Sequence, residues 1–358
     1  MTIKTAPEPV RKNTLPLRSR AGAWLLAAAG LLAMLILNTI TGPVHIPLDA
    51  VIQGLTTWLG LAPMSTPYPD TFATILLDIR LPNAVLVALT GMALGSSGAA
   101  YQGVFRNPLA DPYIIGVASG AGLGAVAAMS VHWPGDLSAM RIIPLAAFAG
   151  AMLTVMVVYG LARVGKTAPI STLILAGVAV SAFTSALTSL LMLISTAQLH
   201  RAIAWLLGGF ALGGWEPVRA ELPYLILGIG ALVLLRRPLN VLQFGDEQAL
   251  QLGLHVERYK AAVLIAASLT AAAAVSFSGV IGFVGLIVPH AVRLIWGSDY
   301  RHLLPLSTIC GGMVLLAADS AARMLLAPQV LPVGIITAMI GAPFFLLLLK
   351  KTRQERLW

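Results

Sequence analysis

Apolar stretches of about bilayer-crossing length succeed one another along almost the whole chain, parted by short segments that carry most of the charge, proline and turn glycine. A spanning helix takes about 20 mainly apolar residues, and on that criterion the pattern predicts ten spans, near 21–40, 81–104, 113–131, 142–162, 171–193, 220–235, 261–277, 279–296, 305–325 and 333–350. An even number returns both termini to one side. The expected fold class is an all-α integral membrane protein, with a basic N-terminal tail over 1–20, one polytopic domain over 21–350 and a tail over 351–358.

The longest markedly polar run in the second half is 244–260, FGDEQALQLGLHVERYK, with Asp246, Glu247, Glu257, Arg258 and Lys260. Asp246 is a good N-cap, Glu247 puts negative charge in a first turn, and Gly253 can take the left-handed conformation that ends a short helix. A short helix, a glycine break and a second short piece are expected. Ala249, Leu250, Leu252, Leu254 and Val256 form an apolar side that must face either the membrane surface or a docked soluble partner. On the other side, 41–78 holds five prolines and a short surface helix near Leu48 to Leu59, and 200–215 reads as a short helix followed by a turn.

Composition agrees with the spans: 58% of residues are hydrophobic and 10% charged, against roughly 25% charged in a soluble domain. The net charge of +9 is topological once sorted by side. Lys4, Arg11, Lys12, Arg18 and Arg20 precede the first span, which is too long for a cleaved signal and lacks a small-residue cleavage site. With that end cytoplasmic, 18 of the 23 Lys and Arg fall on the cytoplasmic side; Arg80, Arg141, Arg201, Arg219 and Arg323 are the other five. Nucleic acid is not needed to explain the charge. Cys310 lies in an apolar run, where a small buried hydrophobe is expected.

Residues 160–167 match the phosphate-loop pattern G-x-x-x-x-G-K-T in full. That motif works where a strand feeds a glycine-rich turn into a helix, and here Gly160 ends an apolar span, so it is read as coincidence. Gly91 and Gly95, and Gly116, Gly120 and Gly124, have the small-xxx-small spacing of close helix packing. Ser97-Gly98 before Pro108 echoes Ser278-Gly279 before Pro289, a faint sign of an internal repeat. No metal cluster or Ser/His/Asp set converges; His290 is a lone histidine that packs or ligates. Asp319 and Arg323 are spaced i, i+4 near an outer helix end, as a structural pair or as a docking or pathway site. Asn107, Pro108, Asp111 and Pro112 make a rigid irregular turn at the cytoplasmic end of two spans, a form that suits a gate.

The blocks RLP, SGAAYQGVFRNPLADPYIIGVASGAGLG, GDEQALQLGL, SGVIGFVGLIVPHAVRL, DYRHLLPLS, LLAADSAAR and LPVGIITAMIGAPFFLLLL, in that order, resemble the permease family of ABC importers for vitamin B12, haem and ferric siderophores. The resemblance implies a dimer of ten-span subunits in the bacterial inner membrane. Two ATP-binding cassette subunits would sit beneath it, holding ATP and Mg, and a periplasmic binding protein would deliver cargo from above. This chain would be the transport subunit, neither an enzyme nor a holder of cofactors. Carried over position by position, coupling to the ATPase falls on Gly245, Asp246, Glu247, Gln248, Leu252 and Gly253, and the cytoplasmic gate on Asn107 and Leu109 with Ser171 and Thr172. Docking of the binding protein falls on Arg80 and Arg323. A third docking arginine of the vitamin B12 importer falls on Asn83, a departure that leans toward haem or a ferric siderophore as cargo, with cobalamin as the alternative. An ion-coupled secondary transporter would need mid-membrane acidic residues or histidines, of which Asp319 and His290 are the ones noted, and an intramembrane enzyme would need a constellation that the chain does not offer.

Overall fold

The structure is a computed structural model that describes residues 20–42, 75–131, 139–165, 167–195, 198–209 and 213–355, with single positions 47, 49, 53, 56, 72, 74 and 133. The basic tail over 1–19, most of 41–78 with its expected surface helix, and Lys166 lie outside the described residues.

The described residues are helical almost throughout. In chain order the helices are α1 (Arg20–Ile40), a π-helical turn (Ile75–Arg80) running into α2 (Leu81–Phe105), α3 (Val117–Ser130), α4 (Ala139–Ala162), α5 (Ile170–Ile194), α6 (Leu199–Leu206) and α7 (Trp215–Leu234). They continue as α8 (Arg236–Leu242), α9 (Asp246–Gln251), α10 (Val256–Ser278), α11 (Val284–Trp296), α12 (Tyr300–Leu325) and α13 (Val333–Glu355). Among the described residues, seven stretches are long and apolar enough to cross a membrane, and three shorter apolar helices, α3, α11 and the Val333–Leu347 part of α13, account for the other predicted spans.

The short ones have a reason. At about 1.5 Å per residue, the 14 residues of α3 and the 13 of α11 fall well short of a hydrocarbon core about 30 Å thick. Irregular backbone completes each: a 3-10 turn (Pro112–Ile115) leads into α3, and residues 279–283 lead into α11. Non-helical backbone at membrane depth is tolerated where protein covers it. Ile115 and Ile281 are buried, and the Tyr113 hydroxyl donates to the Ile281 carbonyl (2.9 Å) and accepts from the Ile281 N–H (3.3 Å), tying the two irregular segments together.

Helix α2 is the axis, buried along nearly its whole length and packed by α12, α10, α11 and α7. Its glycine stripe explains the closeness. A Cβ at Gly91 would collide with the Gly311 carbonyl, one at Gly95 with that of Ser307, and one at Gly98 with Gly285. Gly120 and Gly124 likewise abut Gly150 and Ala146 of α4. The repeat echo fails in three dimensions: Ser97 and Gly98 lie inside α2, whereas Gly279 (φ +75°) ends α10.

Candidate functional site

The hairpin at 244–260 is built differently from the expected two pieces about Gly253. Two short helices, α8 and α9, precede that glycine, and the bend between them is at Gly245, whose φ of +109° an L side chain would resist. Gly253 does take a left-handed conformation (φ +79°) and ends α9, its N–H on the Leu250 carbonyl and that of Leu254 on the Ala249 carbonyl. The chain then enters α10 directly at Val256, so the second half of the polar run is the foot of a long span.

Asp246 is the first residue of α9 and does not cap it; Gly245 holds that position. Its carboxylate is spent elsewhere. Oδ2 accepts from Lys260 Nζ at 2.5 Å and Oδ1 lies 3.6 Å from Arg106 Nη2. Lys260 also reaches Glu257 Oε1 at 3.5 Å, and the other oxygen of Glu257 accepts from the Ala168 backbone N–H at 3.1 Å. The buried Lys260 ammonium thus joins two carboxylates whose outer contacts are different loops: Arg106 precedes Asn107 and Leu109, and Ala168 precedes Ser171 and Thr172. A buried ammonium with two carboxylates is compensated; the same ammonium with none would carry a desolvation cost of several kcal/mol.

Each segment expected to form the gate is pinned locally. Arg106 ends α2 in a left-handed conformation (φ +50°), rare for a residue with a side chain. The Asn107 side chain accepts from Leu109 N–H (2.9 Å), and Asp111 accepts from Tyr113 N–H (2.8 Å) to open the 3-10 turn. Burial pushes the Asp111 carboxyl up to about 6, against the Tyr113 N–H that favours its charged form. On the other side, the Thr172 hydroxyl donates to the Ala162 and Pro169 carbonyls, which clamps the turn between α4 and α5, and Ser171 is exposed. Among the described residues no hydrogen bond joins Asn107 or Leu109 to Ser171 or Thr172. The two segments meet through α5 instead: at Gly177 that helix crosses residues Ile114 and Ile115, and the Ser119 hydroxyl bonds that of Ser181 (3.2 Å).

The apolar side of the hairpin splits in two. Ala249, Val256 and Leu242 are buried together under Val241 and Leu254, whereas Phe244, Leu250 and Leu252 stand exposed at 66%, 60% and 68%. Three large apolar side chains thus stand exposed together around one polar hairpin, rather than scattered singly. Glu247 and Gln248 flank them, both exposed. Phe244 and Leu250 belong to this face and were absent from the carried-over positions; their signal was an aromatic and a leucine inside a polar run.

At the opposite end of the bundle, the two arginines expected to dock a binding protein lie within the bundle. Arg80 and Arg323 are 5% and 8% exposed. Arg80 donates to the Ile40 carbonyl (2.8 Å), and Arg323 ion-pairs with Asp319 and donates to Asn38 Oδ1 (2.9 Å). Asn38 in turn donates to Asp319 Oδ2 (2.9 Å) and the Leu316 carbonyl (3.0 Å). In this arrangement both guanidinium groups serve the junction of α1, α2 and α12, and neither is presented to an outside carboxylate. Asn38 was missed because one amide at the end of a hydrophobic span carries no pattern.

Glu221 was missed too. It lies in α7, wholly buried, with no hydrogen-bond partner for either oxygen among the described residues, so the ionisable residues within the spans extend beyond Asp319 and His290. Both nitrogens of His290 are also unpartnered there, and no group of His, Cys, Asp and Glu able to hold a metal occurs among the described residues. Among the described residues of the phosphate-loop match no strand feeds a helix: Gly160 is inside α4, and Val164 and Thr167 pair across a tight turn at Gly165 (φ +62°).

A sequence model of the FecCD transport family matches residues 13–351. A cobalamin import system permease protein, BtuC of Halobacterium salinarum, is 43% identical over 93% of this chain and 97% of its own length. A hemin transport system permease protein, HmuU of Yersinia pestis, is 39% identical over 82% of this chain and 88% of its own. An Fe(3+)-citrate import system permease protein, YfmE of Bacillus subtilis, is 34% identical over 95% and 98%. A solved structure, described as an inward-facing conformation of a metal-chelate type ABC transporter, superposes with a TM-score of 0.78 at 28% identity, covering 93% of this chain and all of the other.

Proposed function

The chain belongs to the FecCD transport family, a family of ABC importer permeases, and from that premise we propose that it forms the membrane pathway of an ATP-driven importer for haem or a ferric siderophore. It acts as a homodimer in the bacterial inner membrane, with both termini and the 244–260 hairpin cytoplasmic. Two ATP-binding cassette subunits bind beneath it, holding ATP and Mg and carrying out hydrolysis, and a periplasmic binding protein delivers cargo at the other end. The observation that carries this reading is the Lys260 hub. Asp246 and Glu257 share one buried ammonium, and their outer contacts reach Arg106 and Ala168, each next to a gate segment.

Movement of α9 on an ATPase subunit would pull on both loops at once. Phe244, Leu250 and Leu252 supply the apolar contact, and Glu247 and Gln248 the polar rim. The nucleotide acts by contacting the hairpin differently in its bound and free states, since only differential contact shifts a conformational equilibrium. A binding protein docks over the outer end that carries Arg80 and Arg323, whose charge contributes to the local field while their side chains stay in the bundle.

Cobalamin is the second reading, favoured by the 43% identity to a cobalamin permease over nearly the whole chain. The test is ATPase stimulation of the reconstituted importer by its binding protein loaded with haem, a ferric siderophore or cobalamin. Stimulation by an iron chelate or haem alone supports the first reading, stimulation by cobalamin alone supports the second, and none by any of the three contradicts both.

A further inference from the structure

At the hairpin end of the bundle, away from the hub, a cavity of about 380 Å³ opens between the first turns of α1, the last turn of α11 and the first turns of α12. Its size falls within the roughly 300–1,000 Å³ common for small-ligand sites. Its walls include two tryptophans, Trp24 and Trp296, and three polar side chains, Arg293, Asp299 and His302. Tryptophan collects where a bilayer meets water, and the neighbouring surface is made for acyl chains: Leu294 beside Arg293, and Leu25 beside Trp24, are largely exposed.

The polar groups divide by charge. Arg293 reaches the Tyr300 hydroxyl, and no carboxylate among the described residues lies within ion-pair distance of it. His302 Nδ1 is buried with no hydrogen-bond partner among the described residues. Asp299 opens α12, and both of its hydrogen bonds, from Asn240 Nδ2 (2.7 Å) and Arg301 N–H (2.9 Å), end on Oδ1. Burial would raise its carboxyl, but those two donors and the charges of Arg301 and His302 outweigh that and hold it below the usual carboxylate range. It is a carboxylate, then, that lines the same cavity as a guanidinium.

That pairing disfavours a bare phosphate, which Asp299 would repel. It fits a ligand that carries an anion and a hydrogen-bonding cation a few bonds apart. We propose that this cavity binds the headgroup of phosphatidylethanolamine from the adjacent leaflet, with the phosphate on Arg293 and His302, the primary ammonium on Asp299, and the acyl chains along Leu294 and Leu25. A guanidinium donates to phosphate oxygens in a fixed fork, and a primary ammonium has three donors for a carboxylate that a quaternary ammonium lacks. Trp24 and Trp296 close the sides.

The test uses the full chain, purified in a neutral detergent, stripped of lipid and titrated with phosphatidylethanolamine, phosphatidylcholine, phosphatidylglycerol or inorganic phosphate, with bound lipid counted by native mass spectrometry. The wild type is expected to bind phosphatidylethanolamine about tenfold more tightly than phosphatidylcholine, a preference that Asp299→Asn, which keeps a capping side chain, abolishes. Arg293→Gln and His302→Gln are each expected to weaken binding of phosphatidylethanolamine, and Arg219→Gln at the far end to leave it unchanged. Equal binding of the two zwitterionic lipids by the wild type, tighter binding of phosphatidylglycerol, saturation by inorganic phosphate at equal affinity, or a lipid preference indifferent to Asp299→Asn and Arg293→Gln would overturn the site. None of these readouts involves transport, so they stand apart from the importer reading.

Discussion

Asp319 receives Arg323 from its own helix and Asn38 from α1, inside the membrane, where each of those polar groups would be costly alone. Asp319→Ala is therefore expected to cost about 3–5 kcal/mol, because it strands a buried guanidinium. Adding Arg323→Met to the same chain should recover part of the loss, measured as the thermal midpoint in detergent. If the double variant is no better than the single one, the pair is not coupled. Asp111 gives a pH signature of its own. Its folded carboxyl titrates near 6, above its ordinary 3.8, so its protonated form is preferred by the folded chain. Stability from this residue is fully present below about 4 and is lost as pH rises through about 6. Asp111→Asn should flatten that part of the profile of midpoint against pH, and an unchanged slope would remove Asp111 from the account. The i, i+4 spacing of Asp319 and Arg323 was readable in the sequence; Asn38 was not, since its meaning comes from a helix more than 270 positions away.

Helices were legible wherever period and length agree, and their ends were not. α7, α10 and α12 each begin about five residues before the predicted span, because helix continues past the apolar part into the polar interface. The irregular starts of α3 and α11 were hidden, since buried non-helical backbone is as apolar as helix. The glycine stripe was readable as close packing, and it yields a contrast. Gly91→Val should prevent accumulation of folded protein, because its Cβ would meet the Gly311 carbonyl of α12. Gly160→Ala, with open space around it, should leave stability within about 0.5 kcal/mol and transport intact. Loss of uptake in Gly160→Ala would revive the phosphate-loop match. In the hairpin, Gly253 announced its turn, whereas Gly245 looked like part of a helix start. Its role shows only once α8 and α9 are seen on either side of it.

For the molecule as a whole, the hairpin, the two segments proposed as gates and the central helix form one connected path. α2 ends at Arg106, Arg106 meets Asp246, Asp246 and Glu257 meet Lys260, and Glu257 meets the loop that starts α5. The sequence showed where the polar run lies and which family pattern it fits; that one lysine joins its two carboxylates depends on α9 folding back on the foot of α10. Replacing Phe244 and Leu252 by Ser should weaken assembly with the ATPase subunits, read as their recovery with the purified permease, and full recovery would exclude this face as the docking surface. The most direct test of the central claim is the number of cargo molecules taken up per ATP hydrolysed, measured in proteoliposomes containing the complete importer with Lys260→Met. A relay through the hub predicts that this ratio falls by about tenfold or more relative to wild type. A ratio equal to that of wild type would contradict it.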